Sequence, residues 1–169
     1  MKKIIILLLA ISFTAASCNK QQINNSSTGT AQDVYQYQLG GFEVKYPKGW
    51  QTYAAEDNTS SKGCVSFAYP SAIKLAGLGI MGVCYAKNFE LDDYLKSNIN
   101  KTQKTTMGAL AATQMSINPP GSAPRIYVVA DEARNGLTYS IYFEMALKTT
   151  EQQYLPAFQA MQSSFKLLK

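Results

Sequence analysis

The residues of this chain best suited to covalent chemistry are three cysteines, at positions 18, 64 and 84. No histidine is present, which excludes Ser-His-Asp and Cys-His catalysis and the commonest zinc and copper ligand sets. Cys64 and Cys84 are too far apart for a CxxC redox motif, and no second cysteine pair could complete a thiolate metal site. The glycines of GLGIMG, residues 77–82, have the wrong spacing for a phosphate or dinucleotide loop. We therefore expect neither a metal site nor a cofactor.

The first cysteine follows a short apolar run at the N-terminus. Lys2 and Lys3 precede the apolar residues 4–11, and small residues follow, which is the layout of a secretory signal peptide. The run is shorter than the ~20 apolar residues of a membrane-spanning helix. Residues 15–18, AASC, resemble a bacterial lipobox, although Ala15 stands where leucine is usual. We expect cleavage after residue 17 and lipidation of Cys18, which would hold the protein on a membrane; the alternative is an ordinary signal peptidase site that releases a soluble protein.

The rest of the N-terminal region predicts a tether. Residues 18–33 are rich in Asn, Gln, Ser and Thr, and such a segment buries too little surface to fold. One globular domain is expected over residues 34–169. Loss of residues 1–17 would remove two of the 16 basic residues and none of the 11 acidic ones, leaving a net charge of +3. That charge is too small to indicate nucleic-acid binding, which requires a clustered basic face.

The remaining cysteines are expected to form a disulfide, because paired cysteines in an exported protein usually do. Residues 64–70 and 80–86 read as strands. If they are antiparallel with Cys64 opposite Cys84, the geometry of a disulfide is satisfied. The bond would add about 3 kcal/mol to the free energy of unfolding on the chain-entropy model. The alternative is a pair of buried free thiols.

Two β-hairpins are predicted from alternating apolar residues around glycine-containing turns. A two-residue Gly40-Gly41 turn would pair Leu39 with Phe42, Tyr37 with Val44 and Tyr35 with Tyr46. A type I′ turn at Asn135-Gly136 would pair Val128 with Phe143, Ala130 with Ile141 and Ile126 with Met145. Further strands are expected around residues 50–54 and 109–117, the latter followed by a loop at 118–124.

Two helices complete the expected elements. The first covers residues 88–104, with acids early and lysines late. The second covers residues 149–168, with Pro156 bending it or lying near its start. The expected fold class is α+β, an antiparallel sheet of about six strands packed between helices.

The carboxylates do not form a recognisable catalytic pair. Asp92 and Asp93 are adjacent, so they diverge on a helix and suit its dipole. Asp131 and Glu132 alternate across a strand, and Glu132 is expected to reach solvent at the nearby turn. We expect no enzyme, because only the presence of acids supports one.

Two loops are candidate partner contacts. Residues 71–82 are unusually apolar for a loop and contain Ile73, Leu75 and Leu78. Residues 118–125, NPPGSAPR, are stiffened by prolines and end in Arg125. Apolar loops can mark partner or membrane contacts, but they more often fold back over the core.

The chain also resembles the PsbP-like family, which includes the PsbP-type photosystem subunit, a Ran-binding nuclear import factor and DcrB-type bacterial envelope lipoproteins. The resemblance covers residues 35–168 and rests on short motifs: Phe42, Tyr46-Pro47, Gly49-Trp50, the LDDYLKS segment of residues 91–97, and Ser164-Phe165-Lys166. It implies an α/β/α sandwich with an antiparallel sheet. It implies protein binding or the stabilisation of assemblies rather than a reaction.

The leading functional hypothesis is therefore a noncatalytic envelope lipoprotein, held on the membrane through Cys18, that binds or stabilises another envelope protein. A binding module for a small apolar ligand or lipid is the alternative, and it would require a deep apolar cavity. An enzyme is third and would require a cleft with at least two convergent acids. Asn19 follows the cysteine where Asp would retain a lipoprotein at the inner membrane of some bacteria, so the outer membrane is the favoured destination.

Overall fold

The computed structural model describes residues 32–56, 62–68, 80–145 and 148–169. The predicted signal peptide, Cys18, nearly all of the predicted tether and the loop residues Ile73, Leu75 and Leu78 lie outside these ranges. The described residues form ten strands and two helices. They are β1 (Gln32–Tyr37), β2 (Phe42–Pro47), β3 (Gln51–Glu56), β4 (Lys62–Ala68), β5 (Ile80–Ala86), α1 (Asp93–Ser97), β6 (Ile99–Met107), β7 (Leu110–Ile117), β8 (Arg125–Ala130), β9 (Thr138–Glu144), α2 (Lys148–Ser164) and β10 (Lys166–Leu167).

The strands form two sheets, and every pairing is antiparallel. The large sheet has the order β3-β4-β5-β9-β8-β7-β6, and the small sheet has the order β1-β2-β10. One face of the large sheet, called here the inner face, carries alternate apolar side chains such as Phe67, Val83 and Ile141, all of which are fully buried. The small sheet and α2 cover this face and contribute Phe42, Val44, Phe158 and Met161 to the same core.

The opposite face of the large sheet, the outer face, is covered in part by α1 and the chain before it. Helices thus lie on both sides of the large sheet, which confirms the α+β class in outline. The expected number of about six strands is too small, and the helical layers are thinner than expected. α1 has only five residues, and much of the layer opposite it is the small sheet.

The first hairpin has a longer turn than predicted. Tyr37 pairs with Phe42 and Tyr35 with Val44, so the turn contains four residues and the expected register is wrong by two positions. Leu39 lies in the turn and is 54% exposed. Because the error is an even number of residues, the predicted strand residues beyond the turn still share one face. Gly40 is needed for packing, since a Cβ there would lie within 2.9 Å of three aromatic rings.

The second hairpin has the predicted turn but not the predicted register. Asn135 and Gly136 both have positive φ, and Arg134 and Leu137 exchange backbone hydrogen bonds, as a type I′ turn requires. Val128 nevertheless pairs with Ile141 rather than Phe143. Beyond the last ladder pair, Val129 with Ser140, five residues (130–134) precede the Asn135-Gly136 turn but only three (137–139) follow it, which shifts the register by two positions. Asp131 and Glu132 lie in this irregular stretch, and both are exposed.

The predicted helix over residues 88–104 is wrong for most of its length. α1 ends at Ser97. The next residue, Asn98, caps the helix by donating its backbone N–H to the carbonyl of Leu95. Residues 99–107 form the edge strand β6 instead, paired with β7 along its length. β-branched threonines favour this extended conformation, and exposed lysines such as Lys104 protect a sheet edge from further pairing.

The C-terminal helix is confirmed, with an earlier end. α2 stops at Ser164 and contains Pro156 in its interior rather than near its start. Phe165 follows the helix and is buried, and β10 then pairs with β2. No helix among the described residues is both long enough and apolar enough to cross a bilayer.

Candidate functional site

Strand pairing brings the points at which several loops leave and re-enter the large sheet to one end of the domain, called here the loop end. A single row of paired residues runs across the large sheet: Gln51, Ala68, Ile80, Glu144, Arg125 and Ile117. The chain leaves the row at Ala68 and returns to it at Ile80, and residues 118–124 connect Ile117 to Arg125. The first candidate contact loop was predicted over residues 71–82, but its last three residues, 80–82, belong to β5. The two loops singled out in the sequence are therefore attached to the same end of the sheet.

The start of β1 lies near this end as well. Gln32 pairs with Pro47, and the backbone N–H of Trp50 donates to the carbonyl of Pro47 across a tight turn. Gln51, the first residue of the row, follows Trp50 directly. The N-terminal segment thus joins the described domain at its loop end.

Arg125, a predicted contact residue, is engaged within the sheet. Its Nη2 lies 3.2 Å from Oε1 of Glu144 on the neighbouring strand, and the two side chains are only 25% and 33% exposed. Partial burial strengthens such a pair relative to one on an open surface. Arg125 therefore helps to fix the row at the loop end, and only part of its side chain is presented to solvent.

The predicted disulfide is present on the outer face. Cys64 and Cys84 are directly paired on β4 and β5, as the sequence predicted, and their sulfur atoms are bonded across 20 residues of chain. Both cysteines are partly exposed. The bond links β4 to β5. The other ends of these two strands, Ala68 and Ile80, are the described residues on either side of residues 69–79.

Beside the disulfide lies a second row of paired residues that the sequence did not identify as a site. This row, called the aromatic row, consists of Tyr53, Ser66, Gly82, Tyr142 and Tyr127. The hydroxyl groups of Ser66 and Tyr142 are 2.7 Å apart, and the rings of Tyr142 and Tyr127 have centroids 6.0 Å apart. Alternation with the buried Ile141 and Phe143 is the sequence signal that places Tyr142 on the other face.

A cleft of about 360 Å³ separates these tyrosines from the segment before and within α1. The sheet side of the cleft is formed by Tyr127, Tyr142, Glu144 and the disulfide, and the other side by residues 89–92 and Leu95. The cleft is open to solvent, unlike the deep apolar cavity that a lipid-binding module would require.

Hydrogen bonds hold the α1 side of the cleft in place. Oδ1 of Asp92 accepts from the N–H of Leu95 at 2.8 Å and so caps the helix. The hydroxyl of Tyr94 donates to the carbonyl of Pro120 at 3.2 Å. The second bond connects α1 to the 118–124 loop, so the cleft adjoins the loop end.

Charge in the cleft wall has one sign. Glu90, Asp92 and Glu144 are the charged residues that line it, although the full chain has a net charge of +5. Burial raises the pKa of Tyr127, and the charge and hydrogen bond of Arg125 lower it by less. Burial also raises the pKa of Tyr142, and the hydrogen bond with Ser66 lowers it by less. Both phenols are therefore neutral at physiological pH. Among the residues described, no group of three or more carboxylates and cysteines is arranged to hold a metal ion.

Comparison with known proteins gives similarity in structure alone. No protein-family model matches the chain, and no curated protein matches it. The solution structure of cyanobacterial PsbP (CyanoP) from Synechocystis sp. PCC 6803 matches with a TM-score of 0.56 and 14% identity, over 90% of this chain and 98% of that one. The chain has a PsbP-like fold.

A crystal structure of a protein from Bacteroides thetaiotaomicron VPI-5482 supports the same architecture. It matches the PsbP-like chain with a TM-score of 0.50 and 12% identity over 80% of the chain. The match covers 48% of that protein, so the present chain spans about half of its length. At such identities the similarity establishes a fold, and function has to be argued from the site.

Proposed function

We propose that this protein is a noncatalytic cell-envelope lipoprotein, anchored through Cys18, whose PsbP-like domain binds or stabilises another envelope protein. The lipobox-like sequence supports the anchor, and a two- or three-chain lipid would make it firm. The favoured destination is the outer membrane, because Asn19 follows the cysteine. The observation that carries the proposal is the position of Gln32, because the N-terminal segment enters the described domain at this residue, at the loop end.

The length of the predicted tether makes this position significant. About 14 residues separate Cys18 from Gln32, and a polar disordered chain of that length has a root-mean-square extent of roughly 20 Å. A strand of seven residues spans about 23 Å, so the opposite end of the sheet would lie about one strand length farther from the lipid. The loop end would thus be presented to proteins at the membrane surface.

Site-specific crosslinking in cells tests this proposal. A photoreactive residue at Ser122, which is exposed in the 118–124 loop, should capture a recurrent envelope protein. The matched control is the same residue at Ala133, which is exposed at the opposite end of β8 and should capture that protein much less. Equal capture from both positions, or no protein captured from either, would refute a partner at the loop end.

A small apolar ligand or lipid is the second candidate, and the side chains of Phe89, Leu91 and Leu95 in the cleft favour it. The carboxylates of the same wall oppose it, because burying an ionised group against an apolar ligand is unfavourable. A fatty acid that raises the melting temperature, by an amount that L95A abolishes, would support this candidate over the first.

A further inference from the structure

The cleft beside the aromatic row has a fixed floor. A Cβ atom at Gly82 would lie 2.3 Å from the ring of Tyr142, so the absence of a side chain at position 82 lets the ring lie across β5. The hydroxyl contact with Ser66 holds the far end of the same ring. A binding surface whose aromatic groups are already positioned loses little conformational entropy when it is occupied.

The rim of the cleft favours a positive charge. Asp92 uses Oδ1 for the helix cap and Glu144 uses Oε1 for Arg125, and each carboxylate has a second oxygen that can accept further hydrogen bonds. Glu90 lies 3.6 Å from Lys96, but its side chain is 78% exposed, so this ion pair is weak and exchangeable. The neutral tyrosine rings add faces that attract cations.

The remaining walls suit an aliphatic stem. Leu95 is buried, and Phe89 and Leu91 are partly exposed beside it. The volume of about 360 Å³ is at the lower end of the roughly 300–1,000 Å³ that is usual for small-molecule sites. Lysine and arginine combine an apolar stem with a charged head, and they place the stem on apolar surface while the head reaches polar groups.

We infer that the cleft of Tyr127, Tyr142, Glu90, Asp92 and Glu144 binds a lysine or arginine side chain of the partner protein. The charged head lies among the carboxylates and the aliphatic stem lies against Leu95. This inference rests on the proposed function for the source of the side chain, but not for the chemistry of the cleft.

Nuclear magnetic resonance titration of the full-length protein in detergent micelles tests the inference. The probes are the N-acetyl N′-methylamides of lysine and arginine, with the norleucine compound as an uncharged control of similar shape. We expect saturable shifts at Tyr127, Tyr142 and Leu95, with norleucine bound at least fivefold more weakly than lysine. The double variant E90Q/D92N should weaken lysine binding at least fivefold, since Asn at position 92 can still cap the helix.

The control variant is E132Q, which removes an exposed carboxylate at the other end of the sheet and should leave binding unchanged. Equal binding of norleucine and lysine, equal losses in E132Q and E90Q/D92N, or no saturable shift in the cleft would overturn the inference. Spermidine is titrated as a further probe. Binding of spermidine without binding of the lysine or arginine compound would also overturn the inference, because it would identify a free polyamine as the ligand. Lysine binding with no protein captured through Ser122 would refute the proposed function while confirming the chemistry of the cleft.

Discussion

Gly82 and Tyr142 are paired across β5 and β9, and the ring of Tyr142 occupies the space in which a side chain at position 82 would begin. The ring contacts Ser66 on the next strand, so three strands are joined by one side chain on the outer face. The wall of the cleft therefore depends on a residue that has no side chain.

Replacing Gly82 by Ala should displace the ring of Tyr142 and destabilise the protein. Overpacking of this kind costs about 1–3 kcal/mol, and urea unfolding of G82A against the parent chain measures it. The control is the same substitution in a Y142A background, where the added methyl group meets no ring and the loss should fall below about 0.5 kcal/mol. Additive effects of the two substitutions would show that the ring is not what excludes a side chain at position 82.

The face occupied by most strand residues could be predicted from the sequence, whereas the register could not. Phe42, Val44 and Ile141 alternate with more polar neighbours, and a shift of two positions leaves each on its predicted face. The register itself depends on the four residues of the first turn and on the irregular stretch that contains Asp131. Glycine-containing sequences are compatible with several turn lengths, so local pattern alone does not select one.

Tertiary pairing explains the failure at residues 99–104, where a helix was predicted and β6 is found. The backbone of β6 pairs with β7 through eight residue pairs, and this partner cannot be read from local periodicity. The cleft was missed for a similar reason. Glu90 and Asp92 precede α1 whereas Glu144 ends β9, and only the fold brings these carboxylates to one cleft. The Cys64–Cys84 bond could be predicted because two strands with facing cysteines, together with a predicted export signal, were enough to indicate it.

Glu43 should make stability depend on pH in the acid range. Burial would raise the pKa of this carboxyl, but hydrogen bonds from Lys166 and Gln36, and the charges of Lys166 and Lys45, hold the pKa below its ordinary value of 4.5. A depressed folded-state pKa means that the stabilisation is complete above the unfolded value and is lost as the pH falls through the folded value. E43Q should therefore lower the free energy of unfolding by about 1–2 kcal/mol at pH 7, and the difference should shrink below pH ~4.

Urea unfolding of E43Q and the parent chain at pH 7 and at pH 3 checks this dependence. E132Q is the control, because Glu132 forms an exposed pair with Arg134 and its removal should change stability by less than about 0.5 kcal/mol at either pH. A loss in E43Q that is equal at both pH values would contradict a role for the ionised carboxylate.

Removing the disulfide should destabilise the folded domain. Because Cys64 and Cys84 are 20 positions apart in the chain, the C64A/C84A variant should lose about 3 kcal/mol of unfolding free energy. Thermal unfolding of the parent chain with and without a reducing agent should show the same direction, and C64A/C84A should not respond to the reducing agent. Intact mass of the unreduced protein should be lower by two hydrogens than that of the reduced protein, and equal masses would contradict the bond.

Substitution of Cys18 should separate anchoring from folding. If Cys18 carries lipid, C18A should move the protein from the membrane fraction to the soluble fraction. Each acyl chain contributes ~0.8 kcal/mol of membrane-binding free energy per buried methylene, and C18A removes all of the chains. The midpoint of urea unfolding should not change, since Cys18 lies in the predicted tether and outside the predicted globular domain of residues 34–169. C64A/C84A is the matched cysteine control, and it should remain with the membrane although it unfolds more readily. A parent chain without the mass of the lipid, or a C18A variant that stays with the membrane, would contradict the lipid anchor and remove the geometric reason for placing the loop end at the membrane surface.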